Sequence, residues 1–161
     1  MMIVDAIRRA QRQYPVDVIG LCRDLGISVH EAYLADDVSG ELVPIAGGHY
    51  QINVNASHPK TRQRFTIAHE LGHFVHHRNL IGAGIDDDRA YRSTNAGRYH
   101  NTMIGPAQET QANRFAANLL MPQHLIDRLQ QEGKRTPNEQ AYALGVSRSA
   151  MRIRLGVSEP V

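Results

Sequence analysis

The sequence contains one cysteine, Cys22, among its 161 residues. A single cysteine excludes a disulfide framework, and it also excludes a zinc site built from cysteines. Cys22 lies among the apolar residues of a predicted helix, where the simplest interpretation is a small buried hydrophobic residue.

Long apolar runs are also missing from the sequence. No stretch has the roughly 18–20 apolar residues that a membrane-spanning helix needs, and none resembles the apolar part of a secretion signal. We therefore predict a cytoplasmic protein with no membrane partner. Internal repeats and low-complexity tracts are absent as well, and contents of 42% hydrophobic and 21% charged residues are typical of a globular chain,.

The chain carries little excess charge of either sign. Its formal net charge is +2 at pH 7, which is too small to indicate nucleic-acid binding by itself. A length of 161 residues predicts one domain with a small appendage,.

The most informative stretch runs from residue 62 to residue 77 and contains His69-Glu70-x-x-His73. In a helix, a spacing of four residues places both imidazoles on one face, so that both can bind one ion. Glu70 would lie beside them, close enough to take a proton from a metal-bound water without being a ligand. The pattern predicts the zinc site of a hydrolase, and the alternative is a surface helix that matches by chance. Apolar residues at helical spacing support the buried helix: Ile67, Leu71, Phe74 and Val75,.

A catalytic zinc site needs a third protein ligand. Two nearby histidines, His76 and His77, are excluded because they lie about 10 Å or more beyond His69 along the helix axis. Asn79 stands where the elongated H-E-x-x-H-x-x-G-x-x-H pattern has its third histidine, so that clan is excluded too,. The remaining candidates downstream are Asp86, Asp87, Asp88, His100 and Glu109.

Glu109 is the third ligand that the sequence favours. It opens a helical segment and lies one turn before Ala112, on the side of an apolar stripe,. An inward carboxylate is costly unless it is paired or binds a metal. The run Asp86–Asp88 stands in a glycine-containing stretch and is more simply a solvated loop. The stripe consists of Ala112, Phe115, Ala116, Leu119 and Leu120.

Three segments together resemble the ImmA/IrrE family of zinc metallopeptidases. They are R-F-T-I-A-H-E-L-G-H-F, the later E-x-x-A-N-R-F-A-A-N-L-L-M-P, and an upstream Ser39-Gly40 followed by I-N-V-N at 52–55. The likeness extends from about residue 16 to residue 122 and continues weakly to the C-terminus. Where the family often has a second acidic residue, two positions after the ligand glutamate, this chain has Gln111.

The resemblance implies a gluzincin-type zinc peptidase in which His69, His73 and Glu109 bind Zn²⁺, with Mn²⁺ as a substitute, and Glu70 is catalytic. It also implies a narrow substrate, a helix-turn-helix transcriptional repressor that is cut to release stress-response or mobile-element genes. Two alternatives stay open. One is a non-proteolytic anti-repressor whose zinc site is structural, and the other is the toxin of a toxin–antitoxin pair.

The predicted fold class is α+β, mainly helical, with a small antiparallel sheet beside the zinc helix. Strands are expected over residues 27–34, 41–45 and 49–55. An extended substrate could add to a sheet edge that borders the zinc cleft. We expect a metallopeptidase domain over residues 1–122 and a helical appendage over residues 123–161.

Residues 80–107 show no clear period and join the two predicted zinc helices, so we expect a loop that borders the cleft. Its side chains that could donate a hydrogen bond to an oxyanion are Tyr91, Arg92, Tyr99 and His100,.

Two charged segments allow alternative interpretations. A glycine turn at Gly145 separates two short helices, and arginines on the second resemble a helix-turn-helix, with a packed helical appendage as the alternative. Direct DNA binding stays open but is not favoured, because one short basic helix supplies few phosphate contacts. The basic start of the zinc helix could suit an acidic partner, or Arg64 could pair with a buried carboxylate. The arginines of the appendage are Arg148, Arg152 and Arg154, and the basic start consists of Lys60, Arg62 and Arg64.

Overall fold

The computed structural model describes residues 2–88 and 101–158, with residues 87 and 88 by their backbone alone. Within these ranges the fold class is α+β and mainly helical, as predicted. None of the described helices combines the length and the apolar character that crossing a membrane requires. The helices and strands in chain order are α1 (Ile3–Ala10), α2 (Val18–Asp24), β1 (Ile27–Ala32), β2 (Val38–Ile45), β3 (His49–Asn55), α3 (Lys60–His76), β4 (Ile85–Asp88), α4 (Pro106–Leu120), α5 (Gln123–Gln131), α6 (Pro137–Leu144) and α7 (Arg148–Leu155).

The four strands form one mixed sheet in the order β1-β3-β2-β4. β2 is antiparallel to β3 and to β4, whereas β1 is parallel to β3, so the predicted antiparallel arrangement is wrong for that pair. β2 and β3 form a hairpin through Gly47 and Gly48, which have φ values of 80° and 75°. The hairpin inserts β3 between β1 and β2. Residue alternation indicates which face of a strand is buried, but it does not select the neighbouring strand.

Residues 85–88 form an edge strand and not the predicted solvated loop. Ile85 lies opposite Leu42 of β2, and Asp86 lies opposite Glu41. Ile85 is buried in the core. Its burial and the backbone pairing with β2 outweigh the turn-forming tendency of the aspartate run, since strand propensity depends strongly on packing context.

Helix α3 lies between the sheet and α4, and two glycines permit this close packing. A Cβ built on Gly40 of β2 would lie 2.5 Å from Cγ2 of Thr66. A Cβ built on Gly72 of α3 would lie 3.0 Å from Cα of Ala112 in α4. The helix that carries the H-E-x-x-H pattern is therefore fixed on both sides by residues without side chains.

One hydrophobic core joins the sheet, α3, α4 and the C-terminal helices. Cys22 belongs to this core, as predicted, and burial, aided by the nearby Asp17, raises the pKa of its thiol to about 12. The C-terminal contribution to the core comes from Leu125, Ile126, Leu129, Ala141, Leu144, Val146 and Met151.

Arg64 connects α3 to the C-terminal helices. Its guanidinium donates hydrogen bonds to the carbonyl oxygens of Gly145 and Leu144, at the end of α6, and to that of Val16. The sequence had suggested contact with an acidic partner or pairing of Arg64 with a buried carboxylate. The hydrogen bonds observed are with backbone carbonyls, so neither suggestion describes them. Because the last carbonyls of a helix lack partners within the helix, Arg64 caps α6.

Candidate metal centre

Helices α3 and α4 bring His69, His73 and Glu109 together. The two histidines stand one turn apart on α3, and Glu109 lies in the first turn of α4. The Nε2 atoms of His69 and His73 are 3.1 Å apart. Glu109 places Oε2 3.1 Å from Nε2 of His69 and Oε1 3.1 Å from Nε2 of His73. Within the part of the chain that the structure describes, these three residues form the group that could hold a metal ion.

The arrangement of these donor atoms fits a tetrahedral metal ion. Bonds of about 2.0–2.1 Å at tetrahedral angles separate two ligand atoms by about 3.3 Å, close to the 3.1 Å between neighbouring donors here. Two imidazoles and one carboxylate are a donor set that zinc accepts, and three protein ligands leave one position open for water or substrate.

The electrostatic surroundings favour neutral imidazole and charged carboxylate. Burial lowers the pKa of His73, and the hydrogen bond with Glu109 offsets that effect only in part. Burial alone would raise the pKa of Glu109, but the adjacent imidazoles of His69 and His73 outweigh that effect and lower this pKa to about 2. Neutral imidazole and ionised carboxylate are the protonation states that bind a metal cation.

Asn113 orients His69 from the neighbouring helix. Its Oδ1 lies 2.7 Å from Nδ1 of His69. Because an amide oxygen only accepts, this contact favours the neutral tautomer of His69 with its proton on Nδ1, the form in which Nε2 can bind a metal ion. The role of Asn113 as the partner of His69 was not predicted from the sequence. The signal was present, since Asn113 follows Glu109 by four residues and therefore lies on the same face of α4,.

His77 stands behind His73, away from Glu109. Its Nδ1 lies 2.9 Å from Nδ1 of His73, and its Nε2 lies 2.8 Å from Oε1 of Gln111. The side chain is buried, with 4% of its surface exposed. Its neighbour His76 is exposed and packs edge-on against Phe115. Both histidines were excluded as ligands from the sequence. The contact of His77 with His73 was not predicted, although the spacing of four residues could have indicated it.

The other residues singled out from the sequence are Glu70, as the proton carrier, and the alternative ligands and oxyanion donors. Glu70 directly follows His69 on α3 and is completely buried. Asp86 lies half-buried in β4 and does not belong to the group formed by the two histidines and Glu109. The residues considered as oxyanion donors lie outside the described residues: Tyr91, Arg92, Tyr99 and His100. His100 was also considered as an alternative ligand.

Comparison with known proteins gives a family match over most of the chain. Residues 22–156 match a peptidase family described as the IrrE N-terminal-like domain. A curated relative, the radiation response metalloprotease IrrE of Deinococcus deserti, is 40% identical over 81 residues, which cover 50% of this chain and 26% of that protein.

A similar solved structure belongs to a Mycobacterium tuberculosis transcriptional regulator. The TM-score is 0.61 at 21% sequence identity, and the match covers 98% of this chain and 47% of the other. At this identity the likeness shows the fold alone. The chain spans less than half of the length of both relatives.

Proposed function

Because the chain belongs to the IrrE N-terminal-like family of peptidases, which confirms the resemblance read from the sequence, we propose that it is a zinc-dependent endopeptidase. His69, His73 and Glu109 would hold the metal, and Glu70 would transfer protons. The observation that carries the proposal is the convergence of three donor groups, at 3.1 Å from one another, from the two helices that contain the sequence motifs.

A bound zinc ion would supply Lewis acidity, which lowers the pKa of a water molecule and polarises a peptide carbonyl. The other tasks fall to the residues of the chain. Asn113 orients the ring of His69 through its Oδ1, and the Glu70 carboxylate would accept a proton from the attacking water and pass it to the departing amine nitrogen. The ligand set also suits Mn²⁺, which binds carboxylate oxygens readily.

We propose that the substrate is a helix-turn-helix repressor cut in an extended segment. The relative from Deinococcus deserti is described as a radiation response metalloprotease, and this description supports regulated proteolysis more than general digestion. β4 is the sheet edge next to β2, the strand against which α3 packs at Gly40. An extended peptide could pair with such an edge, as in β-strand addition.

The first prediction concerns Glu70. With Zn²⁺ or Mn²⁺, the wild-type protein should cut a helix-turn-helix repressor of the same organism at a single bond, which intact-mass spectrometry would detect as two fragments. Glu70→Gln should fold and retain metal but lose turnover by orders of magnitude, because an amide keeps the shape of the carboxylate and cannot accept the proton. If Glu70→Gln relieved repression as well as the wild type does, the displacement of an intact repressor would replace proteolysis as the function.

A further inference from the structure

We propose that His77 is a positioning residue which, together with Gln111, holds His73 in the tautomer whose Nε2 can bind a metal. The proposal rests on the proposed function, since it concerns the same metal centre. It assigns a role to His77 and Gln111, which are not among the three possible metal ligands, His69, His73 and Glu109.

A chain of hydrogen bonds leads from His73 to the surface of the protein. Nδ1 of His73 and Nδ1 of His77 are 2.9 Å apart, and Nε2 of His77 and Oε1 of Gln111 are 2.8 Å apart. Both distances lie within the range of good hydrogen bonds. His73 and His77 are buried, whereas Gln111 is exposed. We call these three side chains the His73–His77–Gln111 relay.

The last atom of the relay determines the direction of both hydrogen bonds. Oε1 of Gln111 is a carbonyl oxygen and only accepts, so the proton of neutral His77 is on Nε2. Nδ1 of His77 then has a lone pair and accepts from Nδ1–H of His73. With its single proton on Nδ1, His73 presents an unprotonated Nε2 to His69 and Glu109.

The relay acts against a competing tautomer. With its proton on Nε2, His73 would donate to Oε1 of Glu109, which is 3.1 Å away. That tautomer satisfies the carboxylate, but it has no lone pair for a metal at Nε2. The acceptor that His77 offers at Nδ1 favours the other tautomer. For His69 the corresponding role belongs to Asn113, whose amide oxygen accepts directly.

Chelator competition on the full chain measures the effect on zinc binding. His77→Leu removes the acceptor, and we expect it to weaken zinc binding about 10–100-fold, as is usual for partners of metal-bound histidine. His77→Asn places an amide oxygen near the position of Nδ1 and should restore most of the affinity. His76→Leu is the matched control, because His76 is exposed, packs edge-on against Phe115 and has its ring centroid 6.1 Å from that of His77. This variant should bind zinc as the wild type does.

The exposed end of the relay offers variants that are expected to fold in any case. Gln111→Glu keeps an acceptor and adds a negative charge, so its zinc affinity should equal or exceed that of the wild type. Gln111→Leu removes the acceptor and should bind zinc more weakly. Nitrogen-15 NMR of the histidines in zinc-loaded protein should show protons on Nδ1 of His73 and on Nε2 of His77.

The possible outcomes distinguish a failure of the relay from a failure of the proposed peptidase function. Zinc binding that is lost in His69→Ala but unchanged in His77→Leu and Gln111→Leu would overturn the relay and leave the metal centre standing. A proton on Nδ1 of His77 in the zinc-loaded protein would overturn it too. Absence of repressor cleavage, with zinc affinities in the expected order, would count against the peptidase and not against the relay.

Discussion

Gly72 determines how closely the two helices of the metal centre approach each other. An added Cβ would lie 3.0 Å from Cα and 3.1 Å from the carbonyl oxygen of Ala112. Both are backbone atoms, so α4 would have to move by a few tenths of an ångström to accommodate the methyl group. Glycine inside a helix costs about 1 kcal/mol relative to alanine, and the close helix contact is the feature that it provides in return.

Gly72→Ala should therefore weaken zinc binding, because moving α4 moves Glu109 away from His69 and His73. The better helix propensity of alanine offsets part of any loss in the free energy of unfolding, so metal affinity is the sharper measurement. Gly105→Ala serves as control, since its Cβ would meet only the side chain of Gln108, at 3.4 Å. Equal zinc affinities for Gly72→Ala and the wild type would contradict this account.

Local signals predicted the helices that position the site. The four-residue spacing of His69 and His73 and the apolar stripe of α4 both depend on residues within a few turns, and the described structure has both helices. In the same way, Thr136 and Glu139, three residues apart, form a capping box at the start of α6, and the predicted turn residue Gly145 ends α6 with a φ of 67°. Signals of this kind can be read without knowledge of the fold.

Features that depend on distant segments could not be predicted. The pairing of β4 with β2, and the parallel alignment of β1 with β3, require contacts between residues far apart in the chain. The contacts that α4 makes with His69 and His77 also depend on the packing of distant segments. Asn113 and Gln111 lie on α4, and only the packing of α3 on α4 shows which histidine each contacts.

The C-terminal helices contact the rest of the chain through arginines. Nε of Arg154 donates to the carbonyl oxygen of Met121 at 3.0 Å, and the guanidinium also reaches Gln123. This arginine of the predicted helix-turn-helix therefore connects α7 to the segment where α4 ends and α5 begins. Direct DNA binding stays unfavoured, and the division of the chain after residue 122 stays a prediction.

Arg64→Met tests the contact between α3 and the end of α6. The change leaves the carbonyl oxygens of Val16, Leu144 and Gly145 without this donor, and removing one hydrogen-bond partner costs about 1–3 kcal/mol. Urea denaturation should show a decrease of that size in the free energy of unfolding. Arg148→Met is the control at an exposed site, where substitutions usually change stability by no more than about 0.5 kcal/mol. Equal stabilities for the two variants would show that the cap is unimportant.

Substrate selection is a property of the whole molecule. A peptide bond inside an intact helix cannot lie extended along a sheet edge, so the cleaved segment must be a linker or a locally unfolded stretch. Uncontrolled cutting of every flexible linker would harm a cell. Recognition should therefore also use a folded surface of the substrate, and the exposed Lys60 at the start of α3, which pairs with Glu31, offers one charged contact point.

From this we predict little activity on casein and a single cut in the cognate repressor, in a loop or linker needed for dimerisation or operator binding. Gel electrophoresis of both substrates after equal incubation times would show the difference. Rapid conversion of casein into many fragments, dependent on Glu70, would disprove the selectivity and leave the catalytic proposal intact.

The central claim is that side chains from two helices hold one metal ion, and metal analysis of purified variants tests it most directly. The wild type, Glu70→Gln and Asp86→Asn should each contain about one zinc ion per chain, as a site with three protein ligands requires. His69→Ala, His73→Ala and Glu109→Ala should lose it. A full complement of zinc in Glu109→Ala would contradict the account, because the third ligand would then have to come from elsewhere in the chain.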